Sequence, residues 1–378
     1  MMRMRIDHGR ALILALAFGI PFLFVSSALA DPLGAGDIPA DKAAPQPRSV
    51  QEQIKLANDY FAGRGVAQDF AQSAHWFEKA ALAGDAEAQM QIGYFYDAGI
   101  GVPKDPERAV HWYQLAASNG WARARVNLAI LYFWGSGVKK DQQLAVQLFR
   151  EAAAKGVGLA ACYLGDIYYL GVGVPQDKVA GERWYQKGAE MHNPQAESDL
   201  GLLLFDNPDH GHDLPRAAAL LRESAAAGYV PAIYSIGLLL VRNPGLAKSP
   251  DEAIAFLNDA ANAGSWKAST MLGVLARDGE GVPVDAGAAY FHFRVAELQG
   301  GDDAKTLLRF DLNKLASSLG PAQTASLDSQ AQNWHQQHHN VLEFVHREGE
   351  NHSRYSEYAL AEPANGTHTV LILPALPN

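Results

Sequence analysis

Residues 164–189 read LGDIYYLGVGVPQDKVAGERWYQKGA, and this stretch decides the fold. Gly171 and Gly173 stop one helix, Asp177 stands where the next would be capped, and Trp184-Tyr185 with Ala189 give that helix an apolar stripe. The same signs return every 36 residues. Gly84, Gly120, Gly156, Gly228, Gly264 and Gly300 share one rung, with His192 on the remaining one. A second rung reads Ala57, Gly93, Ala129, Gly165, Gly201, Gly237 and Gly273, and a third Gly63, Gly99, Gly135, Gly171, Asn207, Asn243 and Gly279. Self-similarity at such a period marks an array of stacked helical units.

Each rung has a physical cause. The third closes the first helix of a unit with a left-handed residue, and Asn replaces Gly there because it tolerates positive φ. The second lies inside a helix, where Gly costs propensity, so a neighbouring helix must approach too closely for a larger side chain. Second helices open at Asp69, Asp105, Asp141, Asp177, Asp213, Ser249 and Asp285, all residues suited to an N-cap. Ser249-Pro250-Asp251-Glu252 also reads as a capping box. Trp76-Phe77, Trp112-Tyr113, Leu148-Phe149, Trp184-Tyr185, Leu220-Leu221 and Phe256-Leu257 supply the buried stripe.

One pair of short helices cannot bury enough apolar surface to offset its ordering entropy, so neighbours must stack. The expected fold is all-α: a right-handed α/α superhelical solenoid of seven 36-residue helix-turn-helix repeats over residues 50–300, with a concave and a convex face. A helical capping unit over 301–340 follows, its helices Asp302–Leu319 and Ala322–His339 meeting at Gly320-Pro321, and its polar end suits a terminal cap. Residues 341–378 lose the period and read as a tail, disordered or folded back through the strand-like Thr367–Leu373.

The run Leu164-Gly165-x-x-Tyr168-x-x-Gly171-x-Gly173-Val174-x-x-Asp177, followed by Trp184-Tyr185 and Ala189, resembles the Sel-one-like repeat, a longer-turned relative of the tetratricopeptide repeat. The resemblance covers roughly residues 52–300. Units five and six depart from it, with Asn207-Pro208-Asp209-His210 and Asn243-Pro244-Gly245-Leu246 in place of the Gly-x-Gly-Val turn. It implies a non-catalytic scaffold or adaptor that holds a partner protein, in bacterial envelopes as a regulator or assembly factor. Exported relatives described as penicillin-binding or β-lactamase-like carry a cysteine pair in each repeat, whereas this chain has only Cys162.

The N-terminus carries its own signal. Arg3, Arg5 and Arg10 precede an apolar run from Ala11 to Val25, and Ala28-Leu29-Ala30 follows. Those are the parts of a secretory signal peptide cleaved after Ala30, too short to remain as a membrane span. Residues 31–49 read as a flexible linker, and the expected location is the periplasm or the exterior. Net charge is −10, and without residues 1–30 it rests on 28 basic against 40 acidic groups. Such a balance repels phosphate backbones and argues against nucleic acid as a ligand. Cys162 sits in an apolar stretch and reads as a buried thiol.

Catalytic constellations are not found. Ser136-Gly137-Val138-Lys139 matches a penicillin-recognition spacing, but Ser136 is the variable residue between two turn glycines and no companion motif occurs. His335, His339 and Glu343 stand four apart, yet three ligands along one helix would spread over about 12 Å, so no metal or other cofactor is expected. The functional signal lies where the units disagree. Phe133, Trp134, Tyr163 and Tyr169 gather in the middle repeats, with Asp97, Asp166 and Asp199 near them, as apolar anchors inside an acidic rim would. Such a rim suits a basic segment of a partner protein. Two alternatives stay open: some of these side chains fill gaps between repeats, or the aromatics form a platform for cell-wall glycan.

Overall fold

The computed structural model describes residues 49–206 and 213–338. Outside them lie the signal and linker, the Asn207–His210 turn, the tail with its strand-like run, and His339, Glu343, His346 and His352. Among the described residues every regular element is helical. In chain order the pairs are α1 (Val50–Ala62) and α2 (Phe70–Leu82), α3 (Ala86–Ala98) and α4 (Pro106–Ser118), α5 (Ala122–Trp134) and α6 (Gln142–Ala154), and α7 (Gly158–Leu170) and α8 (Lys178–Glu190). They continue as α9 (Pro194–Asp206) and α10 (Leu214–Ala226), α11 (Val230–Arg242) and α12 (Glu252–Asn262), and α13 (Trp266–Asp278) and α14 (Ala286–Leu319). A last helix, α15, covers 321–338. Two compact units divide the chain: an N-terminal one of residues up to 164 with 173–175, and a C-terminal one of 165–172 with the residues from 176.

The caps explain why these segments are helices. Asp69, Asp105, Asp141, Asp177, Asp213 and Asp285 each accept the backbone N–H three residues on, at 2.9–3.1 Å. Two features differ from the sequence reading here. Ser49, assigned to the linker, is the N-cap of α1 and forms a full capping box with Glu52. At Ser249 the box does not form and α12 opens only at Glu252. The Glu252 carboxylate is drawn away by Arg222, at 2.9 and 3.1 Å, and accepts the Lys248 N–H.

At the C-termini of α1, α3, α5 and α13 the capping Gly63, Gly99, Gly135 and Gly279 are left-handed, with φ of 67–80°. Asn243 is not: its φ is −134°, and a short 3-10 turn, Pro244–Leu246, follows. The ring of Pro244 crowds the residue before it out of helical conformations, which overrides the tolerance of Asn for positive φ. The rung of Gly300 also shifts, because the positive φ of 57° falls on Gly301 and kinks α14 there. The 36-residue phase nevertheless survives the kink: Ala268, Leu272 and Ala276 are followed by buried Ala304, Leu308 and Leu312. The capping unit is therefore an eighth unit in register.

His192 is the one non-glycine with positive φ among the described residues, at 53°. At Gly84, Gly120 and Gly156 on the same rung an added Cβ would meet nothing within 4 Å, so backbone strain and not space sets the preference. His192→Gly is expected to stabilise the chain by about 0.5–1 kcal/mol, the left-handed penalty less the added entropy of glycine. Urea titration of the two proteins checks it, and a lower midpoint for the glycine variant would contradict it.

Candidate functional site

The second rung carries the close approach that its residue types demand. A Cβ on Gly93, Gly165, Gly201, Gly237 or Gly273 would fall 2.4–2.9 Å from Tyr113, Tyr185, Leu221, Leu257 and Phe293 respectively. Each glycine thus seats the large side chain of its own unit's second helix. The turn glycines lock successive units: a Cβ on Gly101 would lie 2.1 Å from the Phe70 carbonyl oxygen, and one on Gly137 2.4 Å from that of Pro106. Between these locks a first helix is covered on most of its circumference, and one stripe remains open.

In the N-terminal unit that opening can be read from the helical period. On α5, Arg125 pairs with Glu151 and the Tyr132 hydroxyl accepts from Gln114, so this stripe faces second helices. The stripe of Asn127, Ile130 and Trp134 points elsewhere, and Ile130 and Trp134 are half-buried. On α3 the matching stripe is Gln91, Tyr94 and Ala98, again with half-buried Tyr94 and Ala98. Tyr163 of α7 continues the rung of Gln91 and Asn127, half-buried and stacked on Phe149 at 5.0 Å between ring centres. Trp134 meets Phe133 edge to face at 5.2 Å. Glu87 and Arg123, one repeat apart, stand at the N-terminal ends of these stripes and attract each other, though burial, the larger effect, raises the Glu87 pKa.

The expected site residues therefore separate. Trp134 and Tyr163 keep an open face in the N-terminal unit. Phe133, at 5 % exposure, and Asp97, at 0 %, do not. Tyr169, in the C-terminal unit, is half-buried with its ring 6.3 Å from that of Tyr185 and the Lys178 ammonium 5.6 Å from its centre.

The acidic rim is corrected outright, since Asp97, Asp166 and Asp199 are all buried. The geometry supplies the reason for Asp166 and a neighbour for Asp97. Tyr113 is fully enclosed, and its pKa is pushed up first by burial and then by the charge of Asp97. The Tyr185 hydroxyl donates to Asp166 Oδ1 at 2.5 Å. Phe77, Phe149 and Phe293 occupy the same rung without a hydroxyl to satisfy. At Tyr185 an acid of the first helix meets the buried hydroxyl by a hydrogen bond, whereas Asp97 acts on Tyr113 through its charge. Burial raises the Asp166 carboxyl to about 7, against the opposing pull of that hydrogen bond.

Other candidate residues resolve simply. Cys162 is fully buried, as its surroundings implied, and Ser136 is buried within its turn. His75 and His111 lie edge-on against Trp76 and Trp112, and His292 against Phe291. His338 stacks on Trp334 at 4.0 Å and its Nδ1 is 2.7 Å from the Trp334 carbonyl oxygen. Among the described residues no group of three or more His, Cys, Asp or Glu is placed to hold a metal ion, and no helix is long and apolar enough to cross a membrane.

Paired helices stacked by large side chains seated on glycines, with a stripe of α3, α5 and α7 left open, define an all-α tandem-repeat protein of the interaction type. The Sel1 repeat description matches seven consecutive stretches, residues 53–85, 86–121, 122–157, 158–193, 194–229, 230–265 and 266–301, and the chain belongs to that family. Its fold is similar to that of a Sel1 repeat protein from Oxalobacter formigenes, at 28 % identity and a TM-score of 0.57 over 66 % of this chain and 99 % of that one. A protective antigen of uropathogenic Escherichia coli displaying an SLR fold is similar at 24 % identity and a TM-score of 0.42, over 79 % and 71 %. No curated protein matches. Members of this family are typically protein-binding scaffolds without catalytic activity.

Proposed function

We propose that the chain is an adaptor of the bacterial cell envelope, exported by residues 1–30, that holds a partner protein on the first-helix face of its N-terminal unit. One observation carries the reading: Trp134 and Tyr163 keep half-open rings at positions that the two preceding units, or the one before, fill with the small or polar Ala98, Gln91 and Asn127, so the fold does not require an aromatic there. Large amphipathic rings at low entropic cost are what interface anchors use. Burial of the three carboxylates moves the emphasis from a basic segment to one that offers a bulky apolar side chain.

The test is site-directed photocrosslinking from position 134 in intact cells, followed by binding of the captured partner to purified variants. Trp134→Ala is expected to weaken binding at least about 30-fold, an anchor's effect of about 2 kcal/mol, with helicity and melting temperature held. Phe133→Ala, by contrast, should lose about 3 kcal/mol or more of stability as a core truncation. Binding that survives Trp134→Ala, or that fails only in step with unfolding, would remove this face from the function. Intact-mass measurement of the exported chain, expected to begin at Asp31, checks its route.

A further inference from the structure

The two ends of the array expose what its interior units bury. On the rung of Phe61, Asp97, Phe133 and Phe205 are 0–9 % exposed and Tyr169, Val241 and Arg277 are half-buried, whereas Phe61 itself is 36 % exposed. On the rung of Leu56, Ile92, Leu128, Leu164, Leu200, Ile236, Leu272 and Leu308 are all at or below 5 %, whereas Leu56 is only half-buried. Gly101 and Gly137 each rest on the backbone that opens the preceding unit's second helix, whereas a Cβ on Gly65, as on Gly245 and Gly281 of the same rung, would meet nothing within 4 Å. Among the described residues no unit precedes α1.

The other end has the complementary pattern. Val274 is half-buried and packs against the cluster that holds Leu308 and Leu312 of the next unit. Phe310 stands one repeat later and is 76 % exposed, and Leu307, one turn before it on the same helix face, is 50 % exposed. These are the two halves of an inter-repeat interface, and among the described residues neither half is covered. They also share one register: the eighth unit keeps the 36-residue phase, so α1 of another molecule would continue the array where a ninth first helix belongs.

We infer that this chain associates with a second copy of itself head to tail, the Leu307–Phe310 face of one molecule covering the Leu56–Phe61 face of the next. In that register Phe310 packs on the side of Leu56 and Tyr60, as Val274 packs against the cluster that holds Leu308 and Leu312. The contact is heterologous and leaves a free end at each side, so growth is open unless an end is blocked. The acidic chains repel one another, and the apolar contact is therefore favoured by salt, which screens that repulsion.

Sedimentation velocity on the purified chain from about 5 µM to 1 mM tests this. The weight-average mass is expected to rise with concentration past the dimer, and to rise further with added sodium chloride. Phe310→Asp and Phe61→Asp should each reduce the protein to monomer with unchanged helicity. An equimolar mixture of the two variants should form dimers that do not grow, because one intact head and one intact tail remain. A mass independent of concentration overturns the proposal. So does an association that Phe310→Asp abolishes and Phe61→Asp leaves intact, or a mixture that stays monomeric.

Discussion

Gly101→Ala should destabilise the N-terminal unit by about 2–5 kcal/mol and strip α1 and α2 of their amide protection. The new Cβ would sit 2.1 Å from the Phe70 carbonyl oxygen and 2.7 Å from the Ala71 nitrogen, and both are backbone atoms that cannot swing aside. Overpacking of that kind costs about 1–3 kcal/mol, and the φ of 66° adds about 1–2 kcal/mol for a residue with a side chain. Gly65→Ala is the internal control, with a φ of 73° but nothing within 4 Å. It should cost only the backbone penalty of about 1 kcal/mol. The difference between the two variants measures the lock between the first and second units. Repeat arrays unfold by segments, so hydrogen exchange resolved by peptide is the right measurement. Loss of protection should be concentrated in residues 50–82 for Gly101→Ala. Equal behaviour of the two variants would mean that the turn glycines serve only the turn.

Asp166→Asn should make the chain more stable than the wild type at pH 8 by a few kcal/mol, and change it little at pH 4.5. The carboxyl titrates near 3.8 when unfolded, and burial raises it to about 7 in the native chain. The native state thus holds its proton more tightly, and stability is fully present below about pH 4 and lost as pH rises through about 7, at up to ~1.4 kcal/mol per unit. Asparagine keeps an oxygen to accept the Tyr185 hydroxyl and cannot ionise. Urea midpoints at pH 4.5, 6 and 8, followed by tryptophan fluorescence, should diverge between the two proteins as pH rises. Parallel pH profiles would show that Asp166 is not a buried carboxyl with a raised pKa.

Most of the architecture is legible because its signals are local. Asp or Ser before an apolar run, and Gly where φ must be positive, act within one turn of the chain, and the 36-residue interval adds them in phase. The misreadings occurred where a second local force competed. Pro244 excluded Asn243 from the left-handed region, and Arg222 took the carboxylate that would have closed a cap at Ser249. Arg222 lies 30 residues from Glu252, in the preceding second helix, and no reading of one helix start could include it.

The candidate site was less legible, and Asp97 shows why. A variable position in a repeat invites a binding role, but variation also arises when two core positions change together. Tyr113 and Tyr185 brought buried hydroxyls into a rung otherwise held by Phe or Leu; Asp166 accepts that of Tyr185, and Asp97 of the first helix acts on Tyr113 through its charge. That pairing of Tyr with Asp across a unit was visible in the letters, although only packing gives it meaning. Sequence alone determined the helices, their caps, the interval and the units that must stack, since these depend on neighbours along the chain. Tertiary structure decided which side chains stay open to a partner, because exposure on a helix flanked by three others depends on which stripe those neighbours leave uncovered.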